Sequence, residues 1–175
     1  MHARNLAVGP LSEELVFRAC VIPLLREARF SLAFTVGVSP LFFGLAHLHH
    51  LHRRVLHDKV PIPHALAATA LQLAYTSLFG AFAAFLFLRT SHLAAITVCH
   101  AYCNHMGLPD FDFLYPESVD AAPSARERDA AVALHRRRRL LVGLHLAGIL
   151  LFTLALGPLT DPAIYGSFHW PPRRR

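Results

Sequence analysis

Between Ala65 and Leu88 the chain carries no charged side chain. The run exceeds the ~20 residues that take an α-helix across a ~30 Å hydrocarbon core, so a membrane-spanning helix is the first expectation. Its small residues, among them Ala74, Gly80, Ala83 and Ala84, would let neighbouring helices approach closely. The whole chain agrees: 54% of 175 residues are apolar and the mean hydropathy is +0.40, too oily for a soluble fold of this length.

Four further apolar stretches follow the same logic. Leu140–Gly157 holds no Asp, Glu, Lys or Arg and is preceded by Arg136, Arg137, Arg138 and Arg139, a basic flank typical of a spanning helix. Phe30–Ala46 is uncharged but contains Pro40, which should kink or divide it. Pro10–Leu25 carries Glu13, Glu14 and Arg18, and Leu93–Met106 carries His100 and Asn104. Polar groups in membrane helices are costly and mark functional sites. The expected fold is therefore an all-α, polytopic transmembrane bundle with about five membrane helices. It forms one domain over 1–175, with its core at roughly 5–168, an exposed loop at about 108–135 and a disordered tail at about 169–175.

The net charge of +6 does not point to nucleic acid, because the basic residues flank apolar stretches and no nucleic-acid motif accompanies them. Cys20, Cys99 and Cys103 are odd in number and lie in apolar surroundings, as small buried side chains do. No signal peptide is read, since Gly9, Pro10 and two glutamates follow Met1 closely. Helices joined by short turns alternate in direction, which places Glu13, His47, His100 and Asn104 at one membrane face. The loops on that face, 48–64 and 105–139, hold nine Lys or Arg against three in the opposite turns, so the face is expected to be cytosolic.

Three constellations carry chemistry. In Glu13-Glu14-Leu15-Val16-Phe17-Arg18, Glu14 and Arg18 stand four apart and can pair along one helix face. Glu13 is left over, and a carboxylate without a dedicated cation in an apolar bundle suits a general base. The plainer reading puts both glutamates at a wet helix N-terminus beside Ser12 as cap. His47 ends the run Phe42-Phe43-Gly44-Leu45-Ala46 and is expected over Glu13, whereas His49 to His57 read as a solvated surface loop. His100 and Asn104 stand one turn apart, two donors aimed at one point as an oxyanion requires, or else a pair that bonds neighbouring helices. A Zn site from His47, His100 and Glu13 or Glu14 lacks an HExxH or paired CxxC motif, so no metal or other cofactor is expected. Cys99 as nucleophile lacks an evident base.

Together these residues resemble the EExxxR, FxxxH and HxxxN motifs of the CAAX protease and bacteriocin-processing superfamily, as Glu13, Glu14 and Arg18, then Phe43 and His47, then His100 and Asn104. The stretches EELVFRAC, PLFFGLAHLHH, FGAFAAFLFLRTSHL and LTDPAIYGS are similar to the eukaryotic type 2 CAAX prenyl endopeptidases over roughly residues 5 to 168. The resemblance implies a multi-pass enzyme of the endoplasmic reticulum membrane, its site facing the cytosol. Such an enzyme removes the last three residues after a farnesylated or geranylgeranylated cysteine, from partners such as Ras-type small GTPases. It implies that Glu13 and His47 activate the attacking water, with Glu14, Arg18 and Phe43 in support, and that His100 and Asn104 form the oxyanion site. Family members normally carry further spanning helices before EExxxR, so an N-terminally truncated form is expected. A non-catalytic membrane protein that uses the same polar pocket is the alternative.

Overall fold

Two prolines shape the first helical stretch. Pro10 and Pro23 cannot donate to the helix ladder, and one turn before each the backbone widens to five-residue hydrogen bonding, over Arg4–Val8 and Leu15–Cys20. Ordinary α-helix follows each time, as α1 (Gly9–Glu14) and α2 (Val21–Glu27). The computed structural model describes residues 3–107 and 124–170, with the side chains of residues 134 and 135 outside that description. Helix thus begins upstream of Pro10. Ser12 lies inside it and its hydroxyl donates to the Gly9 carbonyl at 2.9 Å, which removes the reading of Ser12 as a cap.

Helix α3 (Leu32–Ala46) starts at a true cap, Ser31, whose hydroxyl accepts from the Phe34 N–H at 3.1 Å. Pro40 stays within this helix and does not divide it. Its ring is accommodated by a glycine: a Cβ on Gly80 would lie 2.9 Å from the Pro40 Cβ. The loop expected after His47 contains helix α4 (His49–Leu56). Its Arg54 is partly buried and donates to Thr69 at 2.9 Å and to Gln72 at 3.0 Å.

Those acceptors belong to α5 (Ile62–Thr90), which contains the long uncharged run Ala65–Leu88. It packs chiefly on α3, where a Cβ at Gly44 would meet Leu73 Cδ1 and Ser77 Oγ at 2.6 Å each. Gly80, Ala83 and Ala84 are buried as expected for small contact residues, whereas Ala67, Ala68, Ala70 and Ala74 are exposed. Ser91 ends α5 in the left-handed conformation, and α6 (Leu93–Met106) follows directly. The core lies where α2, α5 and α6 meet, with Ile22, Ala83, Leu88 and Ile96 buried.

Helix α7 (Ala125–Leu159) forms a separate unit, spanning Met106–Leu159. It runs from within the loop expected at about 108–135 through the expected Leu140–Gly157 span. A capping box opens it: Ser124 Oγ accepts from the Glu127 N–H at 3.3 Å, and Glu127 Oε2 accepts from the Ser124 N–H at 3.0 Å. The rest of the expected loop, 108–123, lies outside the described residues.

After α7 the chain returns to the first unit and forms α8 (Pro162–Tyr165). Arg89 Nε donates to the Thr160 carbonyl at 2.9 Å and to its hydroxyl at 2.8 Å, and Ser167 Oγ donates to the Leu88 carbonyl at 2.7 Å. The tail expected to be disordered from 169 is packed through Trp170: His169 is buried and Trp170 lies against Phe85 at 5.8 Å. Residues 171–175 lie outside the described residues.

The fold is a helical bundle, with no strand among the described residues. Three helical stretches are long and apolar enough to cross a membrane: Leu32–Leu56, Ile62–Thr90 and Arg136–Leu159. The other two expected spans fall short of that standard. The first is broken by Glu13, Glu14 and Arg18, and α6 has 14 residues, about 21 Å at 1.5 Å per residue.

Candidate active site

The site is built from the EExxxR stretch outward. Four residues along the helix, Arg18 reaches Glu14 with two nitrogens, Nη1 to Oε1 at 3.2 Å and Nε to Oε2 at 3.1 Å. Both side chains are fully buried, at 2% and 0% exposure. A buried ion pair persists only when its geometry and further hydrogen bonds offset the loss of water, and here aromatic faces and a histidine supply them. The Arg18 guanidinium lies 4.6 Å from the centre of the Phe43 ring and 5.9 Å from that of Phe79, within cation–π range.

The histidine comes from α6. His100 Nδ1 lies 2.7 Å from Glu14 Oε1, so the ring donates Nδ1–H to a carboxylate already paired with Arg18. Its Nε2 faces Glu13 Oε2 at 3.8 Å, a distance at which a second group can come between them. Two rings flank His100, Phe79 at 4.9 Å and Phe43 edge-on at 5.9 Å. Glu13 is more open, with its side chain 38% exposed. The pair therefore divides its work: Glu14 is locked between Arg18 and His100, and Glu13 is the accessible carboxylate.

His47 is half-buried at the end of α3. Its Nδ1 lies 2.8 Å from the Phe43 carbonyl, which can only accept, so Nδ1 carries the hydrogen and the neutral ring keeps a lone pair on Nε2. The ring packs edge-on against Phe43 at 4.9 Å. Phe43 thus touches both histidines. Asn104, one turn beyond His100, is exposed, and its Nδ2 donates to the Asn5 carbonyl at 3.0 Å.

Of the residues singled out in the sequence, Glu13, Glu14, Arg18, Phe43 and His100 are drawn into one contiguous group. His47 joins through Phe43, and Asn104 joins through its neighbour His100 and the first helical stretch. Two members had no signal in the sequence: Phe79 and Phe17, which meets Phe43 edge-on at 5.3 Å. Among the described residues no three His, Cys, Asp or Glu side chains are grouped to hold a metal ion.

A helical membrane bundle that brings an ion-paired glutamate, a second carboxylate and a histidine together defines a class of membrane protein, and comparison with known proteins narrows it. Residues 1–106 match the Type II CAAX prenyl endopeptidase Rce1-like family, and the chain belongs to that family. It is 41% identical to the CAAX prenyl protease 2 of Homo sapiens over 94% of this chain and 44% of the relative. It is 39% identical to that of Arabidopsis thaliana over 93% and 45%, respectively. A probable CAAX prenyl protease 2 of Schizosaccharomyces pombe is 42% identical over 61% of this chain and 39% of its own length. The chain spans less than half the length of these relatives. No solved structure matches it.

Proposed function

We propose that the chain acts as a membrane endopeptidase that removes the three C-terminal residues following a farnesylated or geranylgeranylated cysteine, with Ras-type small GTPases among its substrates. The observation that carries this reading is the placement of His100 between two carboxylates, 2.7 Å from Glu14 and 3.8 Å from Glu13. Family membership supports the reaction, because the relatives are CAAX prenyl proteases by name.

In this reading Glu13, the open carboxylate, takes a proton from water, and the Nε2 lone pair of His47 helps to orient that water. The water oxygen attacks the carbonyl that follows the prenyl-cysteine. His100, with Nδ1–H committed to Glu14, accepts at Nε2 the proton that Glu13 takes from the water, stabilises the tetrahedral oxyanion as the imidazolium, and returns that proton to Glu13 as the amine leaves. Asn104 supplies an amide N–H. The C–N bond then breaks, the departing amine takes the proton held by Glu13, and a prenyl-cysteine carboxylate and a tripeptide leave. Arg18 and Phe43 hold Glu14 and the histidine rings in place. The excess of Lys and Arg in segments 48–64 and 105–139 supports a site that faces the cytosol; the endoplasmic reticulum membrane is what the family resemblance implies.

The test is cleavage of a farnesylated tail peptide by the chain in membranes. Glu13→Ala should lower kcat by roughly 100-fold or more with the fold intact, and near-normal cleavage by Glu13→Ala would defeat the assignment. The Asn104–Asn5 bond also suits a bundle in which these polar groups only pack helices. That reading predicts no cleavage by the native chain either.

A further inference from the structure

We propose that Pro10 orients Asn104 by withholding a backbone N–H, an inference that rests on the peptidase reading of the site. Within Arg4–Val8 the Gly9 N–H reaches back five residues to the Arg4 carbonyl. The next rung would run from residue 10 to the Asn5 carbonyl, and Pro10 has no N–H to form it. Asn104 Nδ2 takes that acceptor instead, at 3.0 Å. Pro10 itself is fully buried. Because a carbonyl only accepts, the contact also fixes which end of the carboxamide faces Asn5.

A carboxamide has two N–H donors. With one anchored on Asn5, the amide plane is set and the second donor has a defined direction. Asn104 is exposed, so without the anchor its side chain would sample several rotamers. His100, one turn earlier, is fixed in the same way by Glu14 at 2.7 Å. Both groups assigned to the oxyanion are thus held by the first helical stretch, one on each chain side of Pro10. Donors fixed before the reaction need no reorganisation when charge develops. Pro10 touches neither the oxyanion nor the water, and is a positioning residue.

The experiment introduces Pro10→Ala, which restores an N–H able to compete for the Asn5 carbonyl and is well tolerated by a helix. On the full chain in membranes, with a farnesylated tail peptide, kcat should fall about tenfold while KM stays within about twofold. Adding Pro10→Ala to Asn104→Ala should cause no further loss. An unchanged kcat, or losses that multiply, would overturn the proposal. Should the native chain fail to cleave, the peptidase reading of the chain fails, and the anchor is read from thermal unfolding of the same four proteins. Non-additive midpoints then uphold the Pro10–Asn104 coupling, and additive midpoints overturn it.

Discussion

Arg18 and Arg89 place the same cation in the same kind of surroundings and do different things with it. Both are buried, at 2% and 9% exposure, and both lie against two aromatic rings. Arg18 is 4.6 Å and 5.9 Å from the Phe43 and Phe79 ring centres, and Arg89 is 5.3 Å and 5.1 Å from those of Phe85 and Trp170. Ring faces make a guanidinium tolerable in apolar packing. What its N–H groups hold then decides its role. Arg89 holds the Thr160 carbonyl and hydroxyl and so ties the segment after α7 to α5. Arg18 holds Glu14, which in turn fixes a histidine. One arginine secures a chain segment; the other secures an ionisable group.

The largest expected effect separates the two directly. Arg18→Ala leaves Glu14 buried without its cation, which should cost roughly 3–5 kcal/mol in unfolding experiments and abolish cleavage. Arg89→Ala should cost less, about 1.5–3 kcal/mol for charged hydrogen bonds lost. It should expose the segment around Thr160 to limited proteolysis, while cleavage by the folded fraction stays within about threefold. If Arg89→Ala abolishes cleavage at a temperature where the protein is folded, the division between latch and site is wrong.

The smallest effect concerns pH at the Arg89 end. Burial pushes the His169 imidazole below its ordinary value, and nearby Arg26 adds to the shift. A histidine depressed in the folded state binds fewer protons than in the unfolded chain. Its packing is therefore fully favourable above the ordinary imidazole pKa of ~6.5 and weakens as pH falls through and below it. Thermal midpoints should decline modestly on acidification, and His169→Gln should flatten that slope relative to the native chain. An unchanged slope would show that His169 does not titrate on unfolding.

Local spacing made part of the site legible. The Glu14–Arg18 pair follows from a separation of four residues, and both side chains occupy adjacent turns of one stretch as expected. The junction of Glu14 with His100 spans 86 residues, and only the alternation of helices brought those residues to a common end. Phe79 was illegible for a different reason. It shares the uncharged run Ala65–Leu88 with Phe82, Phe85 and Phe87, and nothing local says which of them turns towards α6. Helix α4 was missed because His and Arg dominate it and suggest solvent, whereas Arg54 finds its partners on α5. Pro40 signalled a break by its chemistry, yet it stays inside α3, and only the fold shows that the glycine which leaves room for it is Gly80, 40 residues later in the chain.

The brevity of α6 bears on how the proposed peptidase would meet water in an apolar layer. Its 14 residues make a rod about 9 Å shorter than a ~30 Å hydrocarbon layer, and if such a helix crosses the bilayer, thinning of the surrounding lipid is one way to relieve the mismatch. In the peptidase reading, a dimple of this kind would bring the headgroup region and its water towards His100. The reactant that oil excludes and the substrate that oil attracts would then share one boundary.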